Sequence, residues 1–539
     1  MQLLRLLRTV SYLKPVQLYG RAFRLVRWQT PDFAPAPPRR PAGGPWIEPV
    51  ARPQSLFAPT HVRFLNQDGM IDATDQWNDP ARDKLWLYNL HYFDDLNAQG
   101  RETRADWHRA LMARWIAKNP AGTGNGWEPY PTSLRIVNWV KWVLQGASLE
   151  RSWLDSLATQ ARWLQANLEW HLLGNHLLEN AKALIFAGAF FDGAEAQRWL
   201  VRGLSVLDDQ LKEQILADGG HFERSPMYHA IVLEDMLDLL NLARRYGVVG
   251  EDTTGRWRAV ARAMRSWLGA MSHPDGGLSF FNDAAFGIAP TRAQLEDYAS
   301  RLSLDPVSQV KGGITSLKES GYLRAASGDA VVLIDAAPIG PDYLPGHAHA
   351  DTLSFEMSLG TERVIVNAGT SEYGNGPQRR FERSTAAHST LELDGQDSSE
   401  VWSGFRVGRR ARVNGVRAER QGELCRISAS HDGYSRLFAR RIHHREWALA
   451  PGRLLVRDRI EGPFVSAAAR FHLPAGITAQ VDGCMAQLAL PSGRVIRLQS
   501  SQPLTLDNSQ WCPEFGLRLS APQIAINSSE PTLETVLTW

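Results

Sequence analysis

The feature that most constrains this chain is a change of hydrophobic period near Lys311. From about Trp86 to about residue 305, apolar residues recur at helical spacing. In "SLRIVNWVKWVL", Ile136, Val137, Trp139, Val140, Val143 and Leu144 form an apolar face. "NHLLENAKALIFAGAFF" and "YHAIVLEDMLDLLNLARRYG" repeat the theme, and the second stops at Gly247, a residue suited to a helix end. Beyond Lys311, "GDAVVLIDAA", "DTLSFEMSL", "RVIVNAGT", "STLELDG", "LCRISASHDGY" and "GRLLVRDRIEG" are short, rich in β-branched residues and separated by turns. An α+β multidomain chain is expected, with stacked helical pairs first and an antiparallel β-sandwich second. Residues 1–60 read as a basic helix and a Pro-rich connector, 61–310 as the helical domain and 311–539 as the sheet domain.

Composition removes several function classes. With 22% charged residues and a net charge of +2, no overall field points to nucleic acid, so a polyanion would have to be held by local arginine clusters. Three cysteines, Cys425, Cys484 and Cys512, form neither a disulfide framework nor a metal-ligand spacing. The opening "MQLLRLLRTVSYLKPVQLYGRAFRLVRW" lacks the continuous apolar core of a signal peptide. The expected compartment is therefore the cytoplasm by default, with the periplasm as the other option. The same segment reads as a helix packed on its own protein or as a basic amphipathic helix on a membrane surface. Nineteen Trp, most before residue 260, fit either stacking on sugar rings or core packing.

Four polar clusters carry the chemistry. In "GNHLLEN", Asn175 has the chemistry to cap a helix start, with His176 and Glu179 close by. In "HFERSPMYHAIV", Tyr228 follows a Ser-Pro pair at the mouth of a helix, whose partial positive charge favours a tyrosinate. In "PGHAHADTLSFEMSL", His347, His349 and Asp351 alternate as on one strand face. Two such imidazoles could share a metal ion, or one could act as acid or base, with Asn367 and His388 as further ligands. In "GNGPQRRFERSTAAHS", Arg379, Arg380 and Arg383 are either a solvated face or a clamp for carboxylates and sulfates. A tyrosine, histidines, an asparagine and arginines, with no obvious carboxylate pair, suit β-elimination of a uronate glycan. Neutralising one substrate charge at about 4 Å contributes about 4 kcal/mol at an effective dielectric of about 20.

In this order and on this layout, "LYNLHYFDDL", "NHLLEN", "SPMYH", "GHAHAD", "NAGTSEY" and "RSTAAHST" resemble the heparinase II/III family of polysaccharide lyases. The resemblance implies an incomplete (α/α) toroid joined to an antiparallel β-sandwich, with the active cleft between them and an acidic polysaccharide as substrate. Carried over, Asn175 with His176 would neutralise the substrate carboxylate and Tyr228 would be the catalytic acid, in many members also the base. His347 would complete the set, and Glu179 and Tyr373 would line the site. A structural zinc would take His349, Asn367 and His388. The usual middle ligand is aspartate, and a neutral amide at Asn367 weakens such a site. With no signal peptide read, the expected substrate is a polymer that the cell itself makes or exports.

Two rival readings remain. A glycoside hydrolase would need two carboxylates about 5 to 9 Å apart, drawn from Asp218, Glu223 and Glu179. A non-catalytic glycan-binding or assembly component would keep the cleft without turnover.

Overall fold

Helices dominate from Lys84 to Arg301 in the computed structural model, which describes residues 2–26, 29–73, 75–308, 310–436 and 439–539. Two kinds of helix alternate along this stretch. Pro129–Leu144, Gly174–Phe190 and Pro226–Tyr246 are buried nearly all round. Arg151–Ala166, Ala194–Gln214 and Glu251–Met271 bury a single face, as with Trp199, Leu200, Gly203, Val206 and Leu207 in the second. This is what an inner ring wrapped by an outer ring requires. The rings touch where side chains are missing. A Cβ on Gly188 would lie 2.4 Å from the Leu200 backbone nitrogen, and one on Gly203 would lie 2.8 Å from the Ala181 carbonyl oxygen.

The tryptophans belong to this packing. Trp77, Trp86, Trp115, Trp139, Trp199 and Trp267 are fully buried, and none lines the cleft described below. Sugar stacking therefore does not explain their number. The Pro-rich connector crosses the helices in extended form, with Arg40 N–H donating to Phe190 and Gly43 N–H to Arg245 carbonyls. A small sheet, Leu56–Ala58, His61–Phe64 and Gln67–Met70, follows it.

From Gly313 onward the chain forms antiparallel sheets of five, eight, four and two strands. The five-stranded sheet runs Gly313–Leu317, Tyr322–Ser327, Ala330–Asp335, Phe355–Leu359 and Glu362–Ile365 in sequence order. Phe355 from this sheet, Trp447 from the eight-stranded one and Phe471 from the four-stranded one meet in a single core.

The two halves are joined by core contacts. Trp267, Met271 and Phe281 pack on Tyr322 and Leu333. Strand Phe355–Leu359 is buried on both faces, so its polar residues need partners. His273 meets Ser358 Oγ through Nδ1 at 2.7 Å and Glu356 Oε2 through Nε2 at 2.8 Å.

Candidate active site

A cleft of about 920 Å³ lies between the halves, reached by Asn175, His176, Glu179, Glu223, Tyr228, His347 and Tyr373. Tyr228 comes from the helix Pro226–Tyr246, which starts as its sequence demands. The Ser225 Oγ accepts from Tyr228 N–H at 3.2 Å, and Pro226 occupies the first turn. That start holds the phenol over His347, with ring centroids 3.9 Å apart, and its hydroxyl 3.0 Å from that of Tyr373. Burial raises the Tyr228 pKa, the bond to Tyr373 works against this, and the Asp283 and Glu223 charges add to it. The residue is held as the neutral phenol. The expected tyrosinate at a helix start is overturned because desolvation outweighs a partial charge.

The motif "GHAHAD" lies ahead of its strand, not on it. Strand structure begins at Phe355, and residues 345–354 are irregular, with turns at 346–347 and 352–353 and Leu353 at φ 63°. The common face expected for His347, His349 and Asp351 is therefore lost. His347 opens to the cleft and His349 is buried at 1% exposure. Both reach one carboxylate: His347 Nδ1 lies 2.8 Å from Asp283 Oδ2, and His349 Nε2 lies 2.8 Å from Asp283 Oδ1. Arg379 grips the same group from behind with both Nη atoms, its Nε–H going to the Gly404 carbonyl. Burial pushes the Asp283 carboxyl up, but Arg379 and the hydrogen bonds from both histidines hold it well below the usual range. Asp283 was missed in the sequence; its signal is an Asn-Asp pair inside the otherwise apolar "SFFNDAAFG".

On its other side, His347 Nε2 stands 3.5 Å from Glu223 Oε2. With Nδ1–H given to Asp283, Nε2 keeps its lone pair, and Glu223 stands where it would pair with an imidazolium. Glu223 also accepts from Asn175, through its N–H and its Nδ2 at 3.1 Å. Asn175 is thus inside the first turn of Gly174–Phe190 and does not cap it; Leu173 stands at the cap position. Its donors are spent on Glu223, so in this arrangement they do not face the cleft freely. His176 is the better cation. It stacks on Tyr130 at 4.4 Å and pairs with Glu169 at 3.1 Å; burial lowers its pKa, but Glu169 outweighs that and raises it. Glu179 lines the cleft with its pKa well raised by burial and by neighbouring Asp235, so it is a neutral acid.

The arginine clamp is not formed. Arg379 and Arg383 are buried, and Arg380, though exposed, lies outside the cleft and donates to the Asn375 carbonyl at 2.7 Å. Arg383 instead pins the histidine loop, donating to the Ala348 carbonyl at 2.9 Å and the Ser403 carbonyl at 2.9 Å. Asp218 is bound to Ser320 and takes no part in the cleft. The proposed zinc ligands do not make a complete set. His349 Nδ1 and His388 Nε2 face each other at 3.1 Å, but Asn367 Oδ1 accepts from Ser389 N–H at 3.0 Å, and its buried Nδ2, a donor, has no partner. Among the described residues, no three His, Cys, Asp or Glu side chains are grouped to hold a metal ion.

A toroid capped by a sandwich, with a tyrosine and a carboxylate-anchored histidine in the cleft between the halves, defines the architecture. The chain belongs to the heparinase II/III family: residues 77–307 match its heparinase II/III N-terminus and residues 310–539 its heparinase II/III-like C-terminal domain. It is 26% identical over 318 residues to the heparin-sulfate lyase of Pedobacter heparinus, covering 52% of this chain and 47% of that protein. The chain thus spans about half the length or less of the heparin-sulfate lyases it matches in sequence. It is 29% identical over 508 residues to the FtsZ-localized protein C of Caulobacter vibrioides, covering 86% of this chain and 83% of that one. A heparinase III crystal structure superposes with a TM-score of 0.70 at 16% identity, over 87% of this chain and 79% of the other. The heparan sulfate lyase structure from P. heparinus gives 0.59 at 20% identity, over 97% and 87%.

Proposed function

We propose that the chain is a polysaccharide lyase that cleaves an acidic, uronate-containing glycan by β-elimination. The observation that carries this reading is the neutral phenol of Tyr228 stacked on a histidine anchored by Asp283 at the mouth of the cleft. Neutral His347, its Nδ1–H given to Asp283, offers the Nε2 lone pair that accepts the proton from C5 of the uronate, and Glu223 3.5 Å away steadies the imidazolium that forms. The electron pair left behind forms the C4–C5 double bond, the C4–O4 bond breaks, and Tyr228 protonates the departing oxygen. His176 supplies the positive charge that steadies the carboxylate as C5 loses its proton.

The polymer is sparsely charged. Arg52, Arg63, Lys84, Lys141, Lys182 and protonated His176 along the cleft face Asp83, Asp94, Glu223, Asp235 and Glu514, an excess of one positive charge only. A densely sulfated chain would require a larger excess of cations. The pair of imidazoles at His349 and His388 ties loops together by hydrogen bonds instead of holding zinc.

The near full-length match to a protein named for its localisation with FtsZ favours a substrate or ligand of the cell's own making. The test is ultraviolet absorbance of the conjugated product with a panel of uronate polymers, sulfated and not. A rise with an unsulfated polymer that is lost in Tyr228→Phe supports the reading. New reducing ends without absorbance would decide for hydrolysis, and binding unchanged in the variant without any product would decide for a glycan-binding component.

A further inference from the structure

The first helix is packed inside out. In α1 (Gln2–Val10), Arg5, Arg8 and Thr9 occupy one side and Leu4, Leu6, Leu7 and Val10 the other. A soluble protein ordinarily turns the apolar side inward. Here the polar side faces the sheet domain: Arg5 Nε lies 3.0 Å from Glu400 Oε1, Arg8 Nη1 3.4 Å from Glu400 Oε2, and Thr9 Oγ1 donates to the Val407 carbonyl at 3.3 Å. Trp402 Nε1–H donates to the Thr9 hydroxyl at 3.2 Å. The leucines are left in water, with Leu4 56% and Leu7 57% exposed. α2 (Pro15–Val26) adds exposed Leu18 and Tyr19, the latter 73% exposed. Gln17, by contrast, is buried and donates to the Tyr343 carbonyl at 3.2 Å and the Leu172 carbonyl at 3.4 Å.

We infer that α1 and α2 dock this protein on an anionic lipid bilayer, with the leucine side in the interface. Three observations choose the bilayer. The apolar surface stands on a helix side bolted down by its charged face, which fixes its orientation outward. The first 28 residues hold six basic residues and no acidic one. Arg5 and Arg8 share Glu400 and Lys14 meets Glu213, which leaves the exposed Arg21 and Arg24 on α2 without a carboxylate partner among the described residues, a match to a negative headgroup layer. Tyr19 supplies the amphipathic ring that settles at such a boundary. No helix among the described residues is long and apolar enough to cross a membrane, so the contact is a surface one.

The docking has a consequence for the cleft. Gln17 ties α2 to the backbone of Leu172 and Tyr343, and Leu172, Leu173 and Leu344 line the cleft. The helix pair and the cleft edge are therefore joined through one buried, hydrogen-bonded side chain. The cleft takes glycan close to the membrane plane.

The experiment is co-sedimentation of the full chain with vesicles of pure phosphatidylcholine and of phosphatidylcholine with phosphatidylglycerol, read without any turnover. Binding to the anionic vesicles alone, weakened by salt, is expected. Leu4→Glu with Leu7→Glu should lower it by about tenfold or more, since two apolar contacts are replaced by like-signed charge at the surface. Val465→Glu, at a still more exposed apolar residue in the sheet domain, should leave it unchanged. Failure of the wild-type chain to sediment with either vesicle overturns the proposal. So does equal binding to both vesicles. A dimer in light scattering that Leu7→Glu makes monomeric, without vesicle binding, also overturns it and names a second copy as occupant.

Discussion

His347 and His349 stand two residues apart and bond to the same carboxylate, yet they work in different surroundings. His347 takes Oδ2 of Asp283 and keeps its Nε2 at the cleft beside Glu223. His349 takes Oδ1, is fully covered, and turns its Nδ1 to His388. Burial drives the His349 pKa down to about 3, with Asp283 pulling the other way. The difference teaches that one residue type, in one motif, keeps a ring nitrogen open to chemistry where a cleft reaches it and becomes a structural strut where packing closes over it.

The largest expected effect breaks both sides together. Asp283→Ala leaves Arg379 buried with an uncompensated charge and both histidines unanchored, and should cost about 3–5 kcal/mol of stability in urea denaturation. Next, His347→Gln should lower turnover by about 10²–10⁴-fold while its urea midpoint stays within error, because the side chain opens to the cleft. If it unfolds the protein instead, the division between open ring and strut fails.

Acid titration sharpens the strut side. His349, His229 and His472 are held neutral, each down to about 3, mainly by burial. Between the ordinary value near 6.5 and about 3 the unfolded chain binds more protons, so stability falls as pH falls through that window. His349→Gln should flatten the slope measured by thermal melts between pH 6.5 and 4.

A zinc titration is the next, smaller effect. The melting temperature should not move on adding zinc or chelator, since Asn367 already gives its oxygen to Ser389. A stabilisation of several degrees would show that the amide turns to ligate. Smallest of all, Arg380→Ala should change stability by less than about 0.5 kcal/mol and leave activity alone, because its guanidinium is exposed and off the cleft.

Much of this was legible without coordinates. The start at Ser225-Pro226 and the stop at Gly247 follow from capping chemistry alone, as does the change from helical to alternating period. What misled was local reasoning applied to long-range contacts. Alternation in "HAHADTLSF" read as strand, but the irregular run of residues 345–354 answers to Asn282, Asp283 and Arg383, which are far away in sequence. Arg379 and Arg383 looked like a ligand clamp because a sequence does not say which guanidinium is covered. Glu223 was weighed only as a hydrolase carboxylate, and its hold on Asn175 depends on a contact spanning 48 positions.

The sequence by itself determined the two-part architecture, the helix ends and the order in which tyrosine and histidine clusters appear. Periodicity and capping are written in neighbouring residues, so they need no tertiary partner. Only the tertiary structure decided which histidine meets solvent, that Asp283 joins them and that the first helix shows its leucines outward. Each of these is a matter of burial and of charges brought together across the chain. Desolvation and pairing exist only once the two halves have closed on each other.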